Sequence, residues 1–222
     1  VHFLLDVDGT IYQTCDLKER AWHATIANSR SVGIEIAHMG AYRTVAGPLS
    51  QWYGKDEDGR IRLRIPPDRR KWMRQPDYEG GPARQELIAG RIQGEQYVQY
   101  DFTPEQYDSL IKLVATLCTV LPKITCDYPR DSSGQLIPHV LSPEQFRDFQ
   151  GVLGHFHVQS NKQDPGPAMN WDLVINQARK RMSRQAIARM EAERGKPVRE
   201  LRPVGSARPS GGATLPATRP AT

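Results

Sequence analysis

The segment that most constrains the fold runs from Gly154 to Pro167 and closes on Pro165-Gly166-Pro167. This closing tripeptide fits neither a helix interior nor a central strand, because each proline lacks a backbone N–H and has a fixed φ angle. Two imidazoles, an ammonium and a carboxylate lie within the ten residues from His155 to Asp164. The segment is therefore predicted to be a rigid loop that displays polar side chains.

One interpretation of this loop is that it forms part of a hydrolytic metal site. His155 and Asp164 supply one nitrogen and one oxygen ligand of the kinds that Zn²⁺ accepts. Lys162 lies two residues before Asp164, so its ammonium can reach an oxygen atom bound to the same ion. The spacing is not that of a helical His-Glu-x-x-His zinc site, and an ordinary turn with surface histidines explains it equally well.

Length and charge restrict the class of protein. The chain has 222 residues, which is enough for one domain with a substantial core. Its formal net charge is +5, but residues 195–222 carry five basic side chains and one glutamate, a net charge of +4. The remaining residues are therefore close to neutral. A nucleic-acid partner is not expected, because such a surface needs Lys and Arg clustered on a folded face.

The sequence contains no apolar run long enough for a transmembrane helix and no signal-peptide pattern at its start. An apolar strand-like run begins at Val1, so we expect the chain to start inside a domain, with any signal peptide upstream. The three cysteines, Cys15, Cys118 and Cys126, form neither a Cys-x-x-Cys pair nor an even set. They do not indicate a cellular compartment.

Two strands are predicted at the start of the chain. Residues 1–6 and 10–14 flank Asp8-Gly9, a dipeptide that supplies the positive φ angle of a tight hairpin turn. Residues 17–24 are predicted to be a loop, in which His23 follows Trp22. By composition, a histidine beside an aromatic residue more often packs than binds a ligand.

A third strand is predicted over residues 32–37, with Glu35 between Ile34 and Ile36. Because side chains alternate along a strand, the carboxylate faces the side opposite the two isoleucines. Solvent exposure is the ordinary expectation for such a glutamate. In a cleft, desolvation would instead raise its pKa and suit it to general-base catalysis.

Residues 38–96 show little sustained periodicity and are predicted to form a long insertion of loops with a small hairpin. Within them, residues 60–65 alternate basic and apolar side chains as a half-exposed strand does. The basic residues of the insertion are expected to form a solvated face, with contact to an acidic polymer as the alternative.

Helices are predicted where the chain carries capping signals. The clearest begins at Thr103-Pro104-Glu105-Gln106, a capping box with proline at the first helical position, and ends before Pro122. A second capped start at Ser142 predicts a short helix through Phe149, and Asn170 caps a last helix.

The remaining segments complete the predicted organisation. Short strands are predicted at residues 124–127 and 151–154. We assign residues 1–182 to one domain, residues 183–194 to a charged helical extension, and residues 195–222 to a tail rich in Pro, Ala and Thr. The tail is predicted to be disordered, because it cannot bury enough apolar surface to offset its ordering entropy.

Four segments, in order, resemble the zinc-dependent N-acetylmuramoyl-L-alanine amidases, whose fold is shared by phage amidase lysozymes and peptidoglycan recognition proteins. They are Asp8-Gly9-Thr10-Ile11-Tyr12, Arg20-Ala21-Trp22-His23-Ala24, residues 28–36, and Gly154-His155 through the Lys-Gln-Asp-Pro-Gly-Pro of residues 162–167. The resemblance covers residues 1–182 apart from the insertion. It implies an α/β fold with a central mixed β-sheet flanked by helices.

The resemblance also implies roles for single residues. His155 and Asp164 would bind Zn²⁺, and Lys162 would polarise the scissile carbonyl and stabilise its developing negative charge. Glu35 would be the general base, which replaces the expectation of an ordinary solvent-exposed glutamate. His23 would contact the substrate.

One departure from the family concerns the metal. The family's first zinc ligand is a histidine on a strand that would precede Val1, and His2 matches an interior histidine that follows this strand. Catalytic zinc normally has three protein ligands, so a third histidine ligand is expected upstream of Val1. His157 matches a position beside the site and is not expected to be a ligand.

The implied reaction is zinc-dependent hydrolysis of the amide bond between N-acetylmuramic acid and L-alanine, in bacterial peptidoglycan or in a soluble muropeptide. A non-catalytic peptidoglycan-binding module of the same fold is the alternative, although such a module has no need of the full set of site residues. The expected protein is a monomer that acts in the periplasm, in the cell envelope or outside the cell.

Overall fold

The computed structural model describes residues 1–182 and Ala192. The extension predicted for residues 183–194, Ala192 excepted, and the tail predicted for residues 195–222 lie outside the described residues. The strands are β1 Phe3–Leu5, β2 Ile11–Gln13, β3 Ile34–Ile36, β4 Tyr53–Lys55, β5 Ile61–Leu63, β6 Ile88–Ile92 and β7 Glu95–Gln99. The helices are α1 Pro48–Trp52, α2 Pro67–Arg70, α3 Pro104–Val120, α4 Pro143–Asp148 and α5 Trp171–Arg181. None of these described helices is both long and apolar enough to cross a membrane.

A three-stranded mixed sheet has β1 as its central strand. β1 pairs antiparallel with β2, where Leu4 faces Tyr12, and parallel with β3, where Leu4 faces Glu35. Gly9 adopts a φ angle of +80° in the turn between β1 and β2. The predicted hairpin and the predicted strand around Glu35 are both confirmed.

The two faces of this sheet differ in burial. Phe3 and Leu5 are buried in the hydrophobic core. Leu4 and Tyr12 are each 38 % exposed, and Glu35 is exposed. Because residues paired across neighbouring strands share a face, these three side chains lie on one open side of the sheet.

Helices α3 and α5 pack against each other and contribute most of the main core. α3 begins with the predicted capping box: the Thr103 hydroxyl accepts from the Gln106 N–H at 3.1 Å, and the Gln106 side chain accepts from the Thr103 N–H. α4 begins with the same motif at Ser142, as predicted. This mixed architecture is compatible with the α/β fold class that the sequence predicts.

Residues 38–96 contain more regular structure than the sequence predicts. Two antiparallel hairpins, β4–β5 and β6–β7, and the helices α1 and α2 lie in this part of the chain, and β7 extends beyond it. β5 confirms the strand predicted from alternation. His38 connects the segment to the rest of the domain: the centroid of its ring lies 4.6 Å from that of the Phe102 ring, and its Nε2 lies 3.4 Å from the Asp101 carbonyl oxygen. That the segment is an insertion stays a prediction.

The strands predicted at residues 124–127 and 151–154 are wrong. The two segments lie side by side, and the Val152 N–H donates to the Asp127 carbonyl at 2.8 Å. Gly151 permits this approach, since a Cβ there would stand 2.5 Å from the Asp127 oxygen. The hydrogen bonds between the two segments are too few to give the repeated pattern of a strand pair.

We expect Gly9→Ala to destabilise the protein more than Gly59→Ala. The two glycines have φ angles of +80° and +77°, so each alanine carries a backbone cost of about 1–2 kcal/mol. Only at Gly9 would the added Cβ also lie 2.7 Å from the Glu105 carbonyl oxygen, whereas the space around Gly59 is open. That clash adds about 1–3 kcal/mol. Urea denaturation of both variants measures the difference in unfolding free energy, and equal losses would contradict it.

Candidate functional site

The polar loop of residues 154–167 is built around a short 3-10 helix. Its beginning and its end are joined, because the Phe156 N–H donates to the Asp164 carbonyl at 3.2 Å. Gly166 has a φ angle of +89°, and a Cβ there would stand 2.1 Å from Gln99 Oε1. Only glycine avoids both the backbone strain and this clash. The predicted loop is thus a folded turn whose two ends are held together.

His155 and Asp164 are in direct contact. His155 Nδ1 lies 2.9 Å from Asp164 Oδ2, and His155 Nε2 lies 2.7 Å from Gln159 Oε1. The imidazole is 18 % exposed and the carboxylate 60 % exposed. Nδ1 is thus the ring nitrogen that faces the carboxylate, and the Gln159 oxygen is placed to accept a hydrogen from Nε2. The two side chains that the sequence predicts as metal ligands therefore converge at the protein surface.

The separation of these two atoms is that of a hydrogen-bonded pair. Two donors that bind the same tetrahedral Zn²⁺ at about 2.0–2.2 Å lie about 3.4 Å apart, whereas Nδ1 and Oδ2 are 2.9 Å apart. Within residues 1–182 and Ala192, no group of three or more His, Cys, Asp or Glu side chains is arranged to hold a metal. His155 and Asp164 are side chains of the kinds that Zn²⁺ accepts, and they number one fewer than the three protein ligands that a catalytic zinc site normally uses.

His157 is a structural residue. Its side chain is fully buried, Nδ1 accepts from the Gly154 N–H at 2.9 Å, and Nε2 donates to the Ile137 carbonyl at 2.8 Å. Burial lowers the pKa of His157 to about 4, so the ring is neutral at neutral pH. With both nitrogens engaged by the backbone, this histidine has no lone pair to offer a metal, in agreement with the sequence-based expectation.

His2 lies in the interior, also as expected. It is 1 % exposed, its Nδ1 accepts from the Gly33 N–H at 3.0 Å, and its Nε2 donates to the Glu19 carbonyl at 3.0 Å. The His2 ring packs edge-on against the His23 ring, with 5.9 Å between the ring centroids. His2 therefore fixes the start of β1 and supports the position of His23.

His23 lies over the start of β3. A Cβ at Gly33 would stand 2.6 Å from the His23 ring, so this glycine makes room for the imidazole. His23 Nδ1 lies 3.0 Å from the Ala21 carbonyl, and Nε2 lies 2.9 Å from the Ser31 hydroxyl. Burial lowers the pKa of His23, although its contact with the Ala21 carbonyl opposes this shift. The imidazole is therefore held between the backbone and the Ser31 hydroxyl.

Glu35 lies on the open side of the sheet, on the same side as His23. Gly33 precedes Glu35 by two residues, and residues two apart in an extended strand face the same side. The His23 ring that covers Gly33 is therefore on the side of the Glu35 carboxylate. Glu35 is exposed, and its carboxylate has no hydrogen bond or ion pair to another residue that the structure describes. Glu35 and His23 thus lie on the same side of the sheet. Among the described residues, no contact joins the Glu35 carboxylate to His155 or Asp164.

Lys162 is half-buried within the polar loop. Its backbone N–H donates to the Gln159 carbonyl at 3.2 Å, which fixes the start of its side chain. Among the described residues, no carboxylate forms an ion pair with its ammonium.

Sequence reasoning missed Gln93, which lies at the tip of the hairpin β6–β7. Its side-chain amide donates to the carbonyls of Phe156, Gln159 and Lys162 at 2.9, 3.1 and 3.4 Å, and its Oε1 accepts from the Val140 N–H at 3.1 Å. Gln93 has a φ angle of +54°, which is uncommon for a residue other than glycine. Gly94 suits a hairpin turn, but Gln-Gly is not one of the usual turn dipeptides, and no local pattern reveals which carbonyls the amide contacts.

A second set of missed residues anchors the end of the polar loop. Gln99 is fully buried; its Nε2 donates to the Pro165 carbonyl at 2.9 Å, and its Oε1 accepts from the Ala168 N–H at 3.0 Å. Arg84 donates to the buried Asp101 carboxylate at 2.7 Å and also to the Ala168 carbonyl. The segment predicted as an insertion therefore helps to position the loop that carries Asp164.

Comparison with known proteins identifies one family. A sequence model described as N-acetylmuramoyl-L-alanine amidase matches residues 1–167. The matched range includes all five residues predicted for the site and extends to the end of the Pro-Gly-Pro sequence. No curated protein and no solved structure gives a significant match.

We expect Gln93→Met to loosen the polar loop, because the substitution keeps the size of the side chain but removes its hydrogen bonds. The loss should cost about 1–3 kcal/mol of stability, since carbonyls are left without donors. Hydrogen exchange at the amides of Val158 and Lys162 should accelerate, as these amides belong to the turn that Gln93 holds. Gln96→Met, at an exposed position of the same hairpin, is the matched control and should change neither quantity. Equal behaviour of the two variants would show that the amide does not order the loop.

Proposed function

The chain belongs to the N-acetylmuramoyl-L-alanine amidase family, and on this premise we propose that it hydrolyses the amide bond between N-acetylmuramic acid and L-alanine. The substrate is peptidoglycan or a soluble muropeptide. The observation that carries the proposal is the contact between His155 and Asp164. An imidazole nitrogen and a carboxylate oxygen lie 2.9 Å apart at the surface, in the loop that also carries the half-buried Lys162.

We propose that the enzyme is zinc-dependent. When bound, Zn²⁺ would activate a water molecule and polarise the substrate carbonyl. His155 and Asp164 would hold the ion, and Gln159 would orient the imidazole through its contact with Nε2. Partners of this kind keep a metal-binding histidine in the correct tautomer, which supports Nδ1 as the ligand atom of His155.

The catalytic side chains are proposed from their positions and chemistry. Glu35 would accept the proton of the attacking water and pass it to the leaving amine, a role that its exposed carboxylate on the open side of the sheet permits. Lys162 would stabilise the negative charge that develops on the scissile carbonyl oxygen. His23 would contact the substrate, since its ring lies over Gly33 on the side of the sheet that carries the Glu35 carboxylate.

The location of the substrate determines where the protein is proposed to act. Intact peptidoglycan lies outside the cytoplasmic membrane, so we place the protein in the periplasm, in the cell envelope or outside the cell, and we propose that it works as a monomer. A non-catalytic peptidoglycan-binding module is the competing function. It is less favoured because a binder does not require Glu35, Lys162 and the predicted ligands His155 and Asp164 together.

We expect the full-length protein to release peptides with a free N-terminal L-alanine from purified peptidoglycan. Glu35→Gln and Lys162→Met should each lower the turnover rate by about 100-fold or more, because each removes a group that acts in the transition state. Asp164→Asn should abolish release and also weaken zinc binding in equilibrium dialysis, since it removes a ligand charge. Glu57→Gln and Lys123→Met make the same changes at exposed positions and should leave release unchanged.

Two results would contradict parts of this proposal. Binding of the wild-type protein to peptidoglycan without peptide release would establish the binding module. Release that persists after zinc is removed by dialysis against a chelator, and that Asp164→Asn does not reduce, would refute the metal site while leaving the amidase activity in place.

A further inference from the structure

An exposed aromatic residue lies in a basic turn that the proposed chemistry does not use. Trp72 is 79 % exposed, and of the exposed large hydrophobic side chains that the structure describes, it is the only one between residues 46 and 119. It belongs to residues 66–78, which follow β5 and which we call the tryptophan turn. The turn lies in the part of the chain that the sequence predicts as an insertion, and contact with an acidic polymer is one of the two roles expected for the basic residues there.

The tryptophan turn has a defined shape. The Arg70 guanidinium donates to the Ile65 carbonyl, just before the turn, at 3.3 Å. It also donates to the carbonyls of Pro76 and Tyr78, near the end of the turn, at 3.0 and 3.1 Å. The Tyr78 hydroxyl donates to Glu105 Oε2 at 2.9 Å and so attaches the turn to the start of α3. The indole is therefore presented by a backbone that is already held in place, which lowers the entropy lost when a partner binds.

Positive charge is concentrated beside the indole. Residues 69–74 carry four basic side chains and no acidic one. Three of the four are exposed, namely Arg69, Lys71 and Arg74. The acidic residues of the turn, Asp68 and Asp77, stand before and after this group. Lys71 Nζ lies 5.2 Å from the centroid of the Trp72 ring, so a cation and an aromatic face are presented together.

The exposed cations of the turn are weakly compensated within the chain. Among the described residues, neither Lys71 nor Arg74 forms an ion pair. Arg69 Nε lies 3.5 Å from Asp68 Oδ2, but the two side chains are 70 % and 71 % exposed, and exposed ion pairs contribute little. A negatively charged partner would therefore gain contacts at this surface without breaking a buried ion pair.

One exposed indole beside several cations fits a glycan that carries carboxylates. The flat ring can stack on the C–H face of a sugar, which removes apolar surface from water, while ammonium and guanidinium groups pair with carboxylates. Insertion into a lipid bilayer requires a wider apolar face, and no other large hydrophobic side chain of residues 46–119 is exposed. A carbohydrate polymer with acidic substituents is therefore favoured over a membrane surface.

We propose that the tryptophan turn is a second binding surface for polymeric peptidoglycan, at which Trp72 stacks on a sugar of the glycan strand and Lys71 and Arg74 bind carboxylates of the stem peptides. This inference rests on the proposed function, because it takes the proposed substrate as the partner. Among the described residues, no hydrogen bond or ion pair joins the turn to the polar loop. The turn would therefore contact a different part of the same polymer. Such a second contact favours intact peptidoglycan over a soluble muropeptide as the substrate.

The experiment measures cosedimentation of the full-length protein with purified insoluble peptidoglycan, with Glu35→Gln present so that the polymer stays intact. Trp72→Ala should raise the dissociation constant by about 10-fold, the effect of losing an aromatic residue on which an interface depends. Lys71→Gln combined with Arg74→Gln should raise it by about 5-fold and make binding less sensitive to salt. Trp72→Tyr keeps an aromatic ring and should retain most of the binding.

A matched control removes two other exposed cations. Lys55→Gln combined with Arg60→Gln changes the end of β4 and the residue before β5, and it should leave binding unchanged. With Glu35 restored, Trp72→Ala should raise KM for insoluble peptidoglycan but leave kcat and KM for a soluble disaccharide–peptide unchanged. Because Trp72 is exposed, its replacement should not shift the melting temperature.

Several outcomes would overturn this inference. No binding to peptidoglycan, or equal binding by Trp72→Ala and its parent, would refute the second surface. Trp72-dependent binding to vesicles of phosphatidylglycerol and phosphatidylcholine, with peptidoglycan binding independent of Trp72, would identify a membrane surface instead. Equal losses of activity on the polymer and on the soluble disaccharide–peptide would place the turn in the catalytic site.

The binding and hydrolysis measurements also separate this inference from the proposed function. Trp72-dependent binding to peptidoglycan without hydrolysis by the wild-type protein would support the second surface and refute the amidase. Hydrolysis together with binding that does not depend on Trp72 would support the amidase and refute the second surface.

Discussion

The candidate site depends on partners for the backbone groups of one non-helical loop. Residues 154–168 contain little regular structure, so their N–H and carbonyl groups must be satisfied from elsewhere in the fold. Gln93 donates to three of these carbonyls, and Gln99 serves one carbonyl and one N–H. The contact between His155 and Asp164 is therefore set by two amide side chains that do no chemistry themselves.

Histidine serves more than one purpose in this protein, so the number of histidines says little about the site. His2, His38 and His157 are buried or nearly so and are held by backbone groups. Burial lowers the pKa of both His38 and His157 to about 4, which keeps these rings neutral. His155 differs because one of its nitrogens faces a carboxylate at the surface. Its environment, and not its residue type, makes it a candidate ligand.

The two sides of the central sheet have different roles: one side packs into the hydrophobic core, and the other carries the proposed catalytic carboxylate. Phe3 and Leu5 project to the side where α3 and α5 build the core. Glu35 projects to the other side, where it has no partner among the described residues, and His23 covers the neighbouring glycine on that side. A strand is suited to this division because adjacent residues face opposite sides. The carboxylate can thus be exposed without any loss to the core on which its strand depends.

The sequence by itself determined the features that short stretches of chain specify. The Asp8-Gly9 hairpin, the capping boxes at Thr103 and Ser142 and the strand around Glu35 all follow from local preferences, which act over a few residues. The sequence also predicted His155 and Asp164 as candidate ligands, because both lie in one loop, and the structure brings their side chains into contact. Only the tertiary structure decided which distant side chains complete that loop.

Gln93 contacts Phe156 across 63 positions of the sequence, and no spacing rule connects them. The strands predicted at residues 124–127 and 151–154 failed for the same reason, since a strand requires a partner with a matching ladder of hydrogen bonds. Turns and caps satisfy their hydrogen bonds within a few residues of chain. Paired strands and buried side-chain amides find their hydrogen-bond partners through packing in three dimensions, which the order of residues does not reveal.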